Sequence, residues 1–128
     1  MMIEPYNEPV LQYAPGSDER SAIIAEYERQ SQLIVEVPCI INGEEVFTGN
    51  TMDQIVPHDH QHIIAKVHLA GPDELQQACD GAAAAQEDWI ELGMEARADI
   101  LDRAAEILAG PQRMKLNAVT MLNQSKTA

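Results

Sequence analysis

The sequence predicts an α+β fold in which an N-terminal arm and short antiparallel β-hairpins precede paired α-helices. Prolines and glycines interrupt residues 1–16, a composition typical of an extended arm. From 34 to 70, strand-like apolar runs alternate with turn residues. After Gly71, apolar residues recur at the 3.6-residue spacing of amphipathic helices. We therefore divide the chain into an arm with a short helix, a hairpin region and a helical region, at 1–33, 34–70 and 71–128.

The first helix is predicted from its N-terminal cap. Ser17 can accept a hydrogen bond from the first turn, and Asp18 and Glu19 place negative charge where the helix dipole favours it. The apolar residues that follow are few. Including the helices downstream, we expect helical structure over 18–32, 72–90, 94–109 and 112–122.

Two hairpins are predicted between the first helix and Gly71. Asn42–Gly43 is a strong signal for a two-residue hairpin turn, because both residues tolerate a positive φ. Pro38 lacks a backbone N–H, which favours an edge position or a bend. The expected strands are 33–41 with 46–48, and 54–56 with 63–69 around a turn at 57–62.

The paired helices have clear boundaries. Gly71 can cap the first of them, and Pro72 suits its first helical position. A hinge is expected at 91–93, and Gly110–Pro111 ends the second helix. The apolar stripe of the first helix consists mainly of small residues, namely Leu75, Ala78, Cys79, Ala82, Ala83 and Trp89.

The second helix of the pair has an apolar face too wide for one neighbour. Ile100 and Leu101 are adjacent, as are Ile107 and Leu108, so apolar side chains lie on more than one flank. If two or three of these side chains stay exposed to water, the chain loses about 1.5–3 kcal/mol of burial free energy for each. We therefore expect the 128-residue chain alone to be marginally stable or self-associating.

Charge excludes several partners. The net charge is −13, so the basic footprint that nucleic acid requires is absent, and an anionic membrane surface is disfavoured. No apolar run approaches the roughly 18 residues of a membrane span, and the N-terminus lacks the features of a signal or transit peptide. Acidic residues are concentrated between 71 and 109, which is typical of a solvated helical face.

The two cysteines are expected to be buried, reduced thiols. Cys39 lies in a strand-like run and Cys79 on an apolar helical stripe. A disulfide between them is the alternative. A nucleophilic thiolate needs a nearby base or cation, and neither cysteine has one in sequence. We assign no catalytic residue.

Two further patterns fall short of a binding site. His58, His60 and His62 could hold a transition metal on one face of a strand, but no fourth ligand is recognisable, so a polar turn after Pro57 is favoured. The segment 124–127 ends like a phosphate loop but lacks its glycines. No dinucleotide fingerprint is present either. We assign no metal-binding or cofactor-binding residue.

Taken together, the order of elements resembles the N-terminal part of the α/β aldehyde dehydrogenase fold, and particular motifs resemble the delta-1-pyrroline-5-carboxylate dehydrogenases within that superfamily. One motif resembles the entry arm of these enzymes, two resemble their hairpins, and the remainder resemble their early helices. The motifs are Asn7–Val10 with Tyr13–Ser17, Val37–Cys39 with Gly43–Val46, Pro57–His62, Arg97 through Pro111, Thr120–Leu122 and Gln124–Thr127.

The resemblance implies an enzyme that oxidises L-glutamate γ-semialdehyde to glutamate with NAD, in proline breakdown. It implies that residues 1–128 are the N-terminal part of the cofactor domain and act as scaffold, without the catalytic thiol or the NAD site. The remainder of the dehydrogenase chain would be the partner, in a homo-oligomer. The compartment would be the cytoplasm of a prokaryote or the mitochondrial matrix of a eukaryote. Asn123 departs from the usual glycine, although asparagine also tolerates a left-handed turn.

Two hypotheses therefore remain. The chain is expected to be an incomplete N-terminal piece of such a dehydrogenase, inactive by itself, because it ends on a polar segment after an apolar helix. The alternative is a free-standing acidic helical module that binds a protein partner. Sequencing past the codon for Ala128 would separate the two.

Overall fold

The structure, a computed structural model, describes residues 6–128. Four helices and five strands follow one another in that range. Their bounds are α1 Asp18–Ser31, β1 Val35–Val37, β2 Cys39–Ile41, β3 Glu44–Val46, β4 Thr51–Val56, β5 Asp59–His68, α2 Pro72–Glu91, α3 Gly93–Ala109 and α4 Arg113–Gln124. The four expected helices are confirmed, with ends that shift by one or two residues.

The strands form two sheets, and one pairing differs from expectation. The larger sheet has the order β1-β5-β4, and the smaller consists of β2 and β3. β1 runs parallel to β5, with Val35 opposite Ala65, so the prediction of antiparallel strands throughout 34–70 is wrong for this strand. The reason is Pro38, which breaks the expected strand 33–41 in two. Each half then joins a different sheet.

Both hairpins form, with shifted limits. Asn42 and Gly43 have φ of 54° and 81°, as the predicted two-residue turn between β2 and β3 requires. The return strand ends at Val46, so Phe47 and Thr48 lie outside it, contrary to prediction. In the second hairpin the loop is only 57–58, because β5 already begins at Asp59.

The core lies where α1 and α4 pack beside the larger sheet. Val56, Ile64 and Leu122 form the buried cluster, and Tyr27 of α1 packs against it. Ile23 of α1 is also buried. The thin apolar face of α1 packs mainly on α4.

The arm is fixed at its described end by polar contacts. Arg113 of α4 donates to the carbonyl of Pro9 at 2.9 Å. Asn117 donates to the Tyr13 hydroxyl at 3.1 Å, and Arg20 to the Tyr13 carbonyl at 3.0 Å. From residue 6 to the turn before α1 the arm contains no helix or strand, as expected; residues 1–5 lie outside the described range.

The helical pair α2–α3 is built as the sequence indicates. The Gly71 N–H donates to the Glu74 carboxylate at 2.8 Å, which caps α2. Gly93 has a φ of 75°, so the chain turns sharply between the helices. Arg97 of α3 donates to the carbonyls of Trp89 and Ile90 at 3.1 and 3.2 Å. Arg97 thereby satisfies the exposed carbonyls at the end of α2.

A glycine explains how α2 meets the smaller sheet. A Cβ at Gly81 would overlap the side-chain amide of Asn42, at the tip of the β2–β3 hairpin. From sequence, Gly81 is only a residue that weakens a helix. In the structure it is the point where the hairpin approaches α2.

The end of α4 corrects one expectation. Asn123 is helical and donates from its amide to the carbonyl of Val119 at 2.9 Å. The left-handed residue is Ser125, with a φ of 53°. The turn is therefore made two residues later than expected, and residue 123 does not need a left-handed conformation.

Candidate functional site: an uncovered helical pair

The most unusual surface of the molecule is the apolar face of α2 and α3. Neither helix has a single buried residue, although both are amphipathic. Leu101 is 66% exposed and Met94 63%, values expected for surface polar residues. Throughout, the uncovered helical pair means this face, formed by Leu75, Trp89, Ile90, Leu92, Met94, Ile100, Leu101, Ile107 and Leu108.

A groove runs along the end of α2 within this pair. Its volume is about 620 Å³, and its walls are mostly apolar. Of the predicted stripe, only Ala82 and Trp89 line it; the other lining residues are Ala85, Gln86, Asp88 and Leu92. Alanines that pack against nothing in the described chain leave room for a closely approaching backbone or side chain.

A second apolar opening is lined by residues of the larger sheet, α1 and α4. It has a volume of about 360 Å³ and lies between the larger sheet and α4. Val35 and Val37 of β1 line it from the sheet side, and Lys115 and Val119 line it from α4. β1 is an edge strand, and both of its valines are exposed. Apolar surface is therefore uncovered both on the helical pair and beside β1 and α4.

A charged cluster borders the second opening through Gln30 and Lys115. Arg29 donates to both carboxylate oxygens of Glu26, at 2.6 and 2.8 Å, and Gln30 donates to the same carboxylate at 2.8 Å. These hydrogen bonds lower the pKa of Glu26 from 4.5 to about 2. Gln30 also donates to the carbonyl of Lys115 at 3.0 Å, so the cluster joins α1 to α4.

The cysteines do not form a reactive pair. Both are free, so no disulfide joins them. Cys79 is exposed, and the expectation that it is buried is wrong, because the stripe on which it lies has no partner. Cys39 is half-buried, and its thiol donates to the backbone carbonyl of His68 at 3.4 Å.

The three histidines of the H-x-H-x-H pattern are directed to different partners. His58 contacts the Ser125 hydroxyl at 2.8 Å, His60 contacts the Pro57 carbonyl at 3.0 Å, and His62 contacts the Ser31 carbonyl at 2.7 Å. Only His58 lies in the turn, since His60 and His62 belong to β5. Within residues 6–128, no group of three potential ligand side chains could hold a metal ion.

The phosphate-loop-like segment is likewise structural. Its first residue, Gln124, ends α4, and the Ser125 hydroxyl contacts the His58 ring.

In the described part of the chain, no helix is both long and apolar enough to span a bilayer.

One polar cluster was missed from the sequence. The side chain of His68 is only 4% exposed and lies between Glu36 and the backbone of Gly49. One sequence signal pointed to it: His68 is four residues after Ile64 on β5, so both side chains lie on the same face of the strand. A buried polar side chain on that face needs hydrogen-bond partners.

Comparison with known proteins identifies the class. Residues 46–128 match the aldehyde dehydrogenase family. The match covers more than half of the chain, which therefore belongs to the aldehyde dehydrogenase family.

Within this class, the chain is similar to particular enzymes. It is 46% identical over 121 residues to delta-1-pyrroline-5-carboxylate dehydrogenase of Agaricus bisporus, and 36% identical to the mitochondrial enzyme of that name from Homo sapiens. Each match covers 94% of this chain and 22% of the relative.

The fold is similar to a solved enzyme as well. The crystal structure of the delta-pyrroline-5-carboxylate dehydrogenase from Mycobacterium tuberculosis bound with NAD superposes with a TM-score of 0.88 at 35% identity. The match covers 94% of this chain and 23% of the solved chain. The chain thus spans less than a quarter of the proteins that it matches.

Proposed function

We propose that residues 1–128 are the N-terminal portion of an NAD-dependent 1-pyrroline-5-carboxylate dehydrogenase, which oxidises L-glutamate γ-semialdehyde to glutamate in proline catabolism. In that enzyme the region is scaffold, as part of the cofactor domain. The observation that carries this proposal is the uncovered helical pair in a chain 46% identical to such an enzyme. Two amphipathic helices without a buried residue require a partner surface.

The chemistry is assigned to the remainder of the enzyme. Aldehyde oxidation through a thioester needs an activated thiolate and NAD held against the reacting carbon. Cys39 donates to a backbone carbonyl, and Cys79 lies on an uncovered helix. We therefore place the catalytic thiol and the NAD site outside residues 1–128, and we assign no catalytic, cofactor-binding or metal-binding residue within them.

Partners and compartment follow from the same assignment. The principal partner is the rest of the dehydrogenase, which would cover the helical pair and the opening beside α4. The complete enzyme is proposed to be a homo-oligomer that binds neither nucleic acid nor membrane, since the net charge of this region is −13. It would act in the cytoplasm of a prokaryote or in the mitochondrial matrix of a eukaryote.

A chimeric enzyme tests the proposal. The matching region of the Agaricus bisporus relative is replaced with residues 1–128, and NADH formation from glutamate γ-semialdehyde is measured. We expect activity in the chimera and none in residues 1–128 alone or in the relative with this region deleted. Changing both Cys39 and Cys79 to Ala should leave the activity of the chimera intact.

The opposite results would have clear meanings. Turnover by residues 1–128 alone, lost on Cys39→Ala or Cys79→Ala, would contradict the scaffold assignment. An inactive chimera, combined with an isolated chain that is monomeric and melts cooperatively at high temperature, would favour the free-standing acidic module. Sedimentation and thermal melting of the isolated chain distinguish these cases.

A further inference from the structure

The buried imidazole of His68 is held in one protonation state by its two neighbours. The backbone N–H of Gly49 donates to Nδ1 at 3.1 Å, so Nδ1 carries no proton. The other nitrogen, Nε2, lies 3.0 Å from a carboxylate oxygen of Glu36 and must therefore be the donor. The geometry selects the neutral ring with its proton on Nε2.

The ring joins separate parts of the fold. His68 ends β5, Glu36 belongs to β1, and Gly49 lies in the loop 47–50 between β3 and β4. Phe47 of the same loop packs its ring against the imidazole, with centroids 5.2 Å apart and planes at 88°. The loop continues from the β2–β3 hairpin, whose tip meets α2 at Gly81.

We propose that His68 is a proton-sensitive clamp on Gly49: its neutral ring accepts the Gly49 N–H, and protonation of Nδ1 breaks that bond, while the bonds from Thr48 to Leu69 and from Leu69 to Asn50 still tie loop 47–50 to the end of β5. A protonated Nδ1 and the Gly49 N–H would be two donors facing each other, so the hydrogen bond between them cannot persist. Gly49 is exposed, so its freed N–H can bond to water. The local change is therefore expected at Gly49.

Titratable side chains lie on three of the elements around His68. Glu36, on β1, accepts from Nε2. On β5, Lys66 precedes His68 by two residues on the same sheet face; on β4, Thr51 lies opposite His68 and Asp53 opposite Lys66. On β2, the Cys39 thiol donates to the His68 carbonyl, and loop 47–50 has no titratable side chain.

Two variants separate the two nitrogens of the ring. In His68→Asn, the amide oxygen can take the place of Nδ1 and accept from Gly49 at any pH. In His68→Gln, the amide nitrogen can take the place of Nε2 and donate to Glu36, but the acceptor for Gly49 is lost. Neither variant changes net charge at neutral pH.

The measurement is amide hydrogen exchange in residues 1–128 at about pH 7.5 and about pH 5, the range over which histidine changes charge. Rates for Gly49 are corrected for intrinsic exchange and compared with amides of the β4–β5 ladder. We expect acid to speed Gly49 exchange by at least about fivefold in the wild type, the loss of one modest hydrogen bond. Gly49 should stay protected at both pH values in His68→Asn and be unprotected at both in His68→Gln.

Three results would overturn the clamp. They are equal pH dependence in the wild type and His68→Asn, full protection of Gly49 in His68→Gln, and loss of protection in the β4–β5 ladder together with Gly49. The last would mean that acid unfolds the sheet instead of breaking the one bond between Gly49 and His68. The clamp is independent of the proposed enzymatic role, since no measurement here involves substrate or NAD.

Discussion

The α1–α4 half and the α2–α3 half of this molecule are both made of amphipathic helices, yet only one half has a core. Ile23, Ala118 and Leu122 are buried on α1 and α4, where the larger sheet and the two helices cover one another. On α2 and α3 nothing is buried. The difference lies in the partners available within the described chain and not in the apolar content of the helices.

This comparison teaches that burial cannot be inferred from an amphipathic pattern alone. The pattern shows which face of a helix is apolar, while the structure shows whether another part of the described chain covers that face. The chain spans less than a quarter of the relatives that it matches, and the proposed function accounts for the uncovered face by assigning its cover to the rest of the enzyme.

The largest expected effect is the difference in stability between two variants, each of which truncates one leucine in one half of the molecule. Leu122→Ala should destabilise the isolated chain by about 2–5 kcal/mol, because it leaves a cavity in the core. Leu101→Ala, at a residue 66% exposed, should change the free energy of unfolding by less than about 0.5 kcal/mol. Urea denaturation followed by circular dichroism measures both.

The same two variants sharpen the comparison in the chimeric enzyme. There Leu101→Ala should become destabilising, because in the proposed function the rest of the dehydrogenase covers Leu101. If Leu101→Ala already costs as much as Leu122→Ala in the isolated chain, the helical pair is covered by self-association, which sedimentation at two protein concentrations would reveal.

A smaller effect is expected where the two halves meet through the β2–β3 hairpin. Alanine at an unconstrained helical position stabilises by about 1 kcal/mol relative to glycine. Gly81→Ala should instead destabilise, since the added methyl group overlaps Asn42. In an Asn42→Gly background, whose positive φ glycine accepts, Gly81→Ala should recover the expected gain.

A double-mutant cycle on these two positions gives the coupling free energy between Asn42 and residue 81, which we expect to be about 1–2 kcal/mol. Thermal melts of the wild type, both single variants and the double variant supply it. A coupling near zero would mean that the Asn42 side chain moves aside freely, so that the hairpin does not restrain α2.

Local signals were sufficient for much of this fold. The Ser17 cap, the Asn42–Gly43 turn, the Gly71–Pro72 start and the hinge at Gly93 are each set by residues a few positions apart, and all are confirmed. The parallel pairing of β1 could not be seen, because strand direction depends on contacts between Val35 and a residue thirty positions later.

The polar sites were harder to predict, for a related reason. The apolar stripe predicts that Cys79 is buried, but Cys79 is exposed because no described residue covers that face of α2. His68 was overlooked because its partners, Glu36 and Gly49, are distant in sequence. His58, His60 and His62 form the more visible sequence pattern, but their rings contact three different partners and do not meet at a common point.

The smallest expected effect concerns Glu26, at the contact between α1 and α4. Its pKa is lowered to about 2 chiefly by the hydrogen bonds from Arg29, and then by Gln30. In Arg29→Ala the carboxylate loses two of its three donors, so its pKa should rise toward 4.5. Gln30→Ala, the matched control, should raise the pKa less. Carboxyl carbon shifts followed by NMR from neutral to acid pH measure both.

The sign of the effect on stability follows from the direction of this shift. Because the pKa of Glu26 is lower in the folded chain, its stabilising contribution is complete above about pH 4.5 and disappears as the pH falls toward 2. The contribution should be small, since the Arg29 side chain is 53% exposed and water screens the pair. At neutral pH we therefore expect Arg29→Ala to leave the melting temperature nearly unchanged while the pKa of Glu26 moves. A large fall in melting temperature would show that the cluster, through the bond from Gln30 to the Lys115 carbonyl, supports the α1–α4 contact far more than an exposed ion pair should.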